Sequence, residues 1–298
     1  MSIAILFNPT SGRGRALKYA QQIKAALQLD GVKTSLLPTD RGDAEHWLLP
    51  VLHSKRKAMS ALIVCGGDGA VRLVASSAAA AEVPIWHAPC GTENLFARAF
   101  GMRRNVEQLR AALRVGRVQR VDLAYANGSP FVLMGSMGID ARIVHALTGT
   151  RRTGPISHLS YVAPVLECLR SWSAPQLAWE IDGEREELGG GTIVVGNFRE
   201  YGARLNPASR ATFDDGLLDA VFFPMRSAFA AASWAPILRC RLSSFHPHLR
   251  ERRAAAIRVF ANVPEMLQLD GDPAGAFEGE REVRFTVRSK ALGVLMPA

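Results

Sequence analysis

Gly66-Gly67-Asp68-Gly69 directly follows the apolar run Leu62-Ile63-Val64-Cys65. Four successive apolar residues suit a strand covered on both faces. The three glycines beyond it let backbone N–H groups approach an anion with no Cβ in the way. Asp68 is the odd member, because a carboxylate beside phosphates is repelled unless it serves a metal or orients a group. The tetrad therefore predicts Mg²⁺-assisted phosphoryl chemistry. Gly-Asp-Gly also makes ordinary β-turns, and on these residues alone both readings stand.

Two further segments repeat the arrangement. Asn8-Pro9-Thr10-Ser11-Gly12-Arg13-Gly14-Arg15 follows the apolar stretch Ile3 to Phe7. It precedes a helix in which Ala16, Tyr19, Ile23, Ala26 and Leu27 recur at helical spacing. A helix start offers unpaired N–H groups and positive dipole, to which Thr10, Ser11, Gly12 and Arg13 add hydroxyl, backbone and cationic contacts. It is not a Walker loop, since the Gly-Lys-Ser/Thr ending is missing. Pro89-Cys90-Gly91-Thr92 follows another apolar run and leads into a helix that ends at Gly101.

The elements that position these loops alternate. Residues 3–7, 32–37, 61–65 and 83–87 read as strands, with helices over 44–53 and 71–81 in addition to the first, so this half is expected to be a parallel sheet covered on both faces. Ligands in such folds sit beyond the carboxyl ends of the strands, where all three loops fall. From Val118 the pattern changes to strand-like runs over 118–125, 131–134, 177–181, 192–195 and 217–223, separated by Gly, Asn and Asp turns. That half is expected to be a mainly antiparallel β-sandwich, with helices inserted over 156–172 and 229–241.

Composition narrows the class. The 298 residues are 48% hydrophobic and 21% charged, enough for two domains. No apolar run is long enough to span a bilayer, and residues 1–7 lack a basic n-region and cleavage site, so a cytoplasmic protein is expected. Cys65, Cys90, Cys168 and Cys240 are too widely spaced for a zinc site or disulfide framework. His145, His158, His246 and His248 show no metal spacing. The net charge of +9 points to an acidic partner. Arginines concentrate over 98–120 and 239–258, but without interleaved aromatics, so nucleic acid is not expected. Ser227 to Leu238 is charge-free between Arg226 and Arg239. It reads either as a helix covering the sandwich core or as one lying against an anionic membrane surface, with Trp234 at the interface.

Taken together, six blocks in order resemble the diacylglycerol kinase catalytic-domain family, which includes bacterial lipid kinases and sphingosine kinases. They are Asn8-Pro9-Thr10-Ser11-Gly12, Gly66-Gly67-Asp68-Gly69, Gly91-Thr92-x-Asn94-x-x-Ala97-Arg98, Gly135-x-x-Gly138-x-Asp140, Asp214-Asp215-Gly216-x-Leu218-Asp219 and Asp270-Gly271-Asp272. The resemblance implies ATP-dependent transfer of a γ-phosphate to a lipid hydroxyl. It also implies a phosphofructokinase/NAD kinase-like α/β domain over 1–121 plus about 289–298, a β-sandwich domain carrying the acceptor site over 122–288, and nucleotide between them. By position, Asn8, Pro9, Thr10, Ser11, Gly12, Thr39, Gly66, Gly67, Asp68, Gly69, Ala70, Val71, Arg72 and Thr92 match nucleotide contacts. Asp272 falls at the general base, Asp68 suits metal or phosphate organisation, and Thr212, Asp215 and Leu217 match a structural Mg²⁺ site.

Two departures stand out. Ala70-Val71-Arg72 replaces a hydroxyl and a carboxylate common in the family, and Asp272 is one methylene shorter than the usual glutamate. They leave room for an altered acceptor or for a weakly catalytic nucleotide- or lipid-binding sensor. An NAD kinase or phosphofructokinase-like kinase of a non-lipid alcohol is the other alternative, because a Gly-Gly-Asp-Gly loop after a strand resembles those families as well. The acceptor's identity and the oligomeric state, a homodimer among the options, stay open.

Overall fold

The computed structural model describes residues 2–9, 14–39, 44–54, 59–151, 162–274 and 282–298. The chain divides into two compact units, unit 1 of residues 1–123 with 288–298 and unit 2 of residues 124–287.

Unit 1 alternates strand and helix: β1 (Ser2–Phe7), α1 (Arg15–Leu29), β2 (Lys33–Pro38), α2 (Ala44–Trp47), α3 (Leu49–Ser54), β3 (Met59–Gly66), α4 (Asp68–Ala80), β4 (Ile85–Pro89), α5 (Leu95–Ala99), α6 (Val106–Val115) and β5 (Val118–Ala126). β2, β1, β3 and β4 are neighbours in that order and all parallel. Ile3 to Leu6 and Ala61 to Val64 are completely buried, as strands covered on both faces require. The single helix expected over 44–53 is two short ones, since Pro50 has no N–H to continue the ladder. α4 begins at Asp68, three residues earlier than periodicity predicts. Gly67 is extended at its N-cap, and Asp68 brings a favourable negative charge to the first turn.

Unit 2 contains β6 (Ser129–Phe131), β7 (Met134–Met137), α7 (Ile139–Arg151), α8 (Val162–Arg170), β8 (Gln176–Ile181), β9 (Glu184–Gly196), β10 (Leu218–Pro224), α9 (Ala228–Arg239), β11 (Arg250–Ala254), β12 (Ala256–Ala261), β13 (Leu267–Leu269), β14 (Asp272–Pro273) and the start of β15 (Glu282–Leu295). The pairings within it are antiparallel. β9 belongs to both layers: residues 184–190 pair with β8, and residues 191–196 with β7 and β10. Gly189-Gly190-Gly191 marks the crossing. Gly189 has φ +92°, and a Cβ on Gly191 would lie 2.2 Å from the Phe223 carbonyl oxygen. Between the layers pack Phe131, Trp179, Phe222, Val259 and Phe285.

β10 shows the period of two that a strand with two packed faces needs. Leu218, Ala220 and Phe222 join the inner core, while Val221 and Phe223 face outward under Trp172 and α9. α9 buries Ala231, Trp234 and Leu238. Trp234 is therefore a core residue and not an interfacial one: its ring lies 4.9 Å from that of Phe223, and its N–H donates to Pro224 O at 3.1 Å. The strand expected over 131–134 is split into β6 and β7, because the Val132 and Leu133 N–H groups donate to the Asp270 carboxylate and not to a ladder. The arginine-rich stretch after residue 249 holds β11 and β12. Of the helix expected over 156–172, α8 is seen and residues 152–161 lie outside the described ones.

β15 crosses between the units. It begins antiparallel to β12 and ends parallel to β4, with Val294 opposite Ile85.

Candidate active site

Three of the parallel strands of unit 1 end in the loops singled out from sequence. Asn8 follows β1, and its N–H donates to Cys65 O at 3.3 Å. Pro9 is exposed beside it, and Thr10, Ser11 and Gly12 lie outside the described residues. Thr39 follows β2 and donates its N–H to Phe7 O at 2.9 Å. β3 ends at Gly66, and Gly67 leads into α4. The loop after β4 rests on that turn: a Cβ on Gly91 would lie 2.6 Å from Gly67 Cα, so the two glycine backbones touch where no side chain fits.

Side chains fix this contact. Asn94, in the left-handed region at φ +51°, accepts the Gly91 N–H at 2.8 Å and donates back to Gly91 O at 2.9 Å. Asp68 accepts the N–H groups of Leu95 and Phe96 at 3.0 and 2.9 Å, capping α5 and tying the β4 loop to the β3 loop. Its carboxylate thus organises backbone. The Thr92 side chain is exposed, whereas Ala70 and Val71 are buried and give their N–H groups to Gly67 O. Ala70 packs on Gly66, where an added Cβ would come within 2.6 Å of the Ala70 methyl. With those two N–H groups engaged, the Gly67, Asp68 and Gly69 N–H groups are the ones at the start of α4 that have no carbonyl a turn earlier in the helix. Arg72 is half-buried one turn further on.

His87 was not anticipated. It is completely buried on β4, and its Nε2–H donates to Gly66 O at 3.0 Å, beside the Cys90 N–H at 2.8 Å. Its Nδ1 is buried with no hydrogen-bond partner among the described residues. Burial holds the imidazole below its ordinary value, against an opposing pull from Asp68 and the Gly66 carbonyl. The one available signal was a histidine inside an otherwise apolar strand, Ile85-Trp86-His87-Ala88.

In unit 2, Asp270-Gly271 is the two-residue turn between β13 and β14, with both residues at positive φ. The two aspartates of this motif differ sharply. Asp270 accepts three N–H groups, from Val132 at 2.8 Å, Leu133 at 2.8 Å and Met134 at 3.0 Å. The half-buried Asp272 carboxylate has no hydrogen bond or ion pair among the described residues. Beneath the turn, Gln268 accepts the Gly271 N–H at 2.8 Å. It donates to Ser136 Oγ at 2.9 Å and to Asp140 Oδ2 at 3.1 Å. Burial pushes the Asp140 carboxyl up while Ser136, Gln268 and Tyr201 donate to it. Burial, with Asp140, Asp270 and Asp272 nearby, pushes the Tyr201 phenol well up. Asp272 therefore sits on a rigid turn over an acidic, hydrogen-bonded cluster.

At the Asp214-Asp215-Gly216 turn, where the resemblance implies a divalent ion on Asp215 and the backbone oxygens of Thr212 and Leu217, the Asp215 carboxylate is engaged by the protein itself. Asp215 Oδ1 accepts the Leu217 N–H at 3.0 Å, and Oδ2 pairs with Arg253, which also meets Asp219 at 3.2 Å. The guanidinium supplies the positive charge that a metal would bring. Thr212 Oγ1 donates to Arg210 O at 3.4 Å. Among the described residues no three His, Cys, Asp or Glu side chains assemble to hold a metal.

A parallel α/β unit has glycine loops meeting at its carboxyl edge, and an antiparallel β-sandwich presents an aspartate with no partner among the described residues. Residues 2–126 match the diacylglycerol kinase catalytic domain, and residues 134–296 match the YegS C-terminal NAD kinase beta sandwich-like domain. The chain belongs to the diacylglycerol kinase catalytic-domain family, as its six motifs indicated. A diacylglycerol kinase of Bacillus subtilis is 26% identical over 304 residues, covering 98% of this chain and 95% of its own. One of Mycobacterium tuberculosis is 30% identical over 225 residues, covering 73% and 71%. A crystal structure of a diacylglycerol kinase from Bacillus anthracis has the same fold, with a TM-score of 0.72 at 20% identity over 99% of this chain and 96% of that one.

Proposed function

We propose that this protein transfers the γ-phosphoryl group of ATP to a hydroxyl of diacylglycerol, a sphingoid base or a related lipid. The observation that carries this reading is the Gly67–Gly91 backbone contact, which brings two strand-end loops together as one anion-binding floor. Residues 8–12, Thr39, Gly66 to Arg72 and Thr92 are the nucleotide's partners in unit 1, with the Gly67, Asp68 and Gly69 N–H groups on its phosphates. Asp68 holds the floor in shape. ATP, accompanied by Mg²⁺, supplies the phosphoryl group. The acceptor oxygen forms the new O–P bond as the bond to the β-phosphate oxygen breaks, and its proton passes to Asp272 of unit 2. Asp272 suits that role because it has no competing partner among the described residues and stands on a turn fixed by Asp270 and Gln268. A lipid acceptor places the protein at the inner membrane surface, reached from the cytoplasm. The chain incubated with γ-labelled ATP, Mg²⁺ and a fractionated lipid extract should yield a labelled lipid, and Asp272→Asn should lower kcat about 100-fold or more. Absence of product across nucleotides and metals would sink the reading.

A further inference from the structure

α9 has apolar residues on both sides. A helix lying on a protein surface ordinarily turns charged or polar residues outward. Here Ala231, Trp234 and Leu238 face the sandwich, and the outward positions are Phe229, Ala232, Ala235 and Pro236, closed by Arg239. Phe229 is 85% exposed, and beyond the helix Leu242 and Phe245 are 51% and 80% exposed. The chain after α9 folds back along it: the His246 ring lies 4.4 Å from that of Trp234, tilted by 44°, and lines a cavity of about 440 Å³ together with Ala230. Phe229 and Phe245 therefore each adjoin a residue of that cavity.

The cavity itself is cationic. Arg226, Arg250, His246 and His248 line it alongside Phe222 and Leu188, with no carboxylate among the lining residues. Arg226 and Arg239, at the two ends of α9, have no acidic partner among the described residues. Arg250 lies 3.9 Å from Glu186, a carboxylate that it shares with Arg252 at 3.2 Å. The histidines engage each other, the His248 N–H donating to His246 Nδ1 at 3.3 Å.

We propose that this face of unit 2 docks on an anionic bilayer, with a phospholipid phosphate in the Arg226–Arg250 cavity and Phe229, Leu242 and Phe245 in the acyl boundary. A bilayer supplies phosphate and hydrocarbon at the same surface, and this patch presents the complement of both. Short of Arg239, the outward positions Phe229, Ala232, Ala235 and Pro236 of α9 carry no hydrogen-bonding side chain with which to specify a protein partner. The inference goes beyond the kinase reading, because it concerns how the protein is held and requires no turnover.

Co-sedimentation of the full chain with sucrose-loaded vesicles tests it. Vesicles of phosphatidylcholine with phosphatidylglycerol should bind the protein, and those of phosphatidylcholine alone should bind far less. Arg226→Gln and Arg239→Gln should each weaken binding about fivefold. Phe229→Ser with Phe245→Ser should weaken it about tenfold or more, with unchanged unfolding midpoints throughout. Leu29→Ser, which alters a 90% exposed residue of unit 1, should change nothing. Equal binding to both vesicles, parental binding by the arginine variants, or displacement by inorganic phosphate would overturn the proposal. So would self-association through Phe229 without vesicle binding. A chain that binds vesicles but phosphorylates no lipid loses only the kinase reading; one that phosphorylates micellar lipid without binding vesicles loses only this one.

Discussion

Asp270 and Asp272 are two residues apart in one hairpin, yet substitution should separate them completely. Asp270→Asn exchanges an acceptor of three N–H groups for a side chain with only one accepting atom, and should cost about 3 kcal/mol in urea unfolding. Asp272→Asn removes no hydrogen bond seen among the described residues and should leave the unfolding midpoint in place while turnover falls. A destabilised Asp272→Asn would assign that carboxylate a structural role. The resemblance singled out Asp272 as the base, but nothing in the sequence marks Asp270 as structural, because the backbone it holds is more than a hundred residues away. His87 makes a second case. Its pKa is depressed by burial, so the unfolded chain takes up the proton first. The neutral imidazole's contribution is complete above the ordinary value of 6.5 and is lost as pH falls below it, by up to about 1.4 kcal/mol per pH unit. Replacing it with glutamine, which keeps a donor for Gly66 O, should flatten stability between pH 7 and 5. The same acid loss in His87→Gln would assign the effect elsewhere.

At the level of elements, the parallel strands of unit 1 were legible because continuous apolar runs ending in glycine have few other uses. The sandwich was harder to read. Among the described residues β11 pairs with β10 alone, so it accepts Arg250, Arg252 and Arg253 along its length and reads as a charge cluster. β6 and β7 read as one strand because the Asp270 carboxylate that divides them comes from another hairpin. β9 showed as a short strand because its three glycines resemble a turn, although they are where it passes from one layer to the other. Gly191→Ala should therefore cost about 3 kcal/mol or more, since the new methyl meets backbone oxygen and the Phe222 ring. Gly202→Ala, with nothing within 4 Å of the added Cβ, should stay within about 0.5 kcal/mol of the parent. Equal effects would show that β9 can shift to make room.

Across the whole molecule, the division into a parallel α/β unit and an antiparallel sandwich was visible as a change in pattern along the chain, whereas the return of the last residues to the first unit was expected from the family resemblance alone, since the residues of β15 carry no mark of which sheet they finish. Its last residues are essential to unit 1. Val294 pairs beside β4, the Lys290 N–H donates to Asp122 at 2.7 Å, and the Met296 N–H donates to Arg117 O at 2.8 Å. More than half the chain, Ala124 to Val287, separates the body of that unit from the strand that completes it. During synthesis, the nucleotide-binding half must therefore wait on the order of 10 s with the flank of β4 bare. An open strand edge is a template for foreign pairing. The ribosome and its attendant chaperones, more than the finished fold, would then decide how much of this protein reaches its native form.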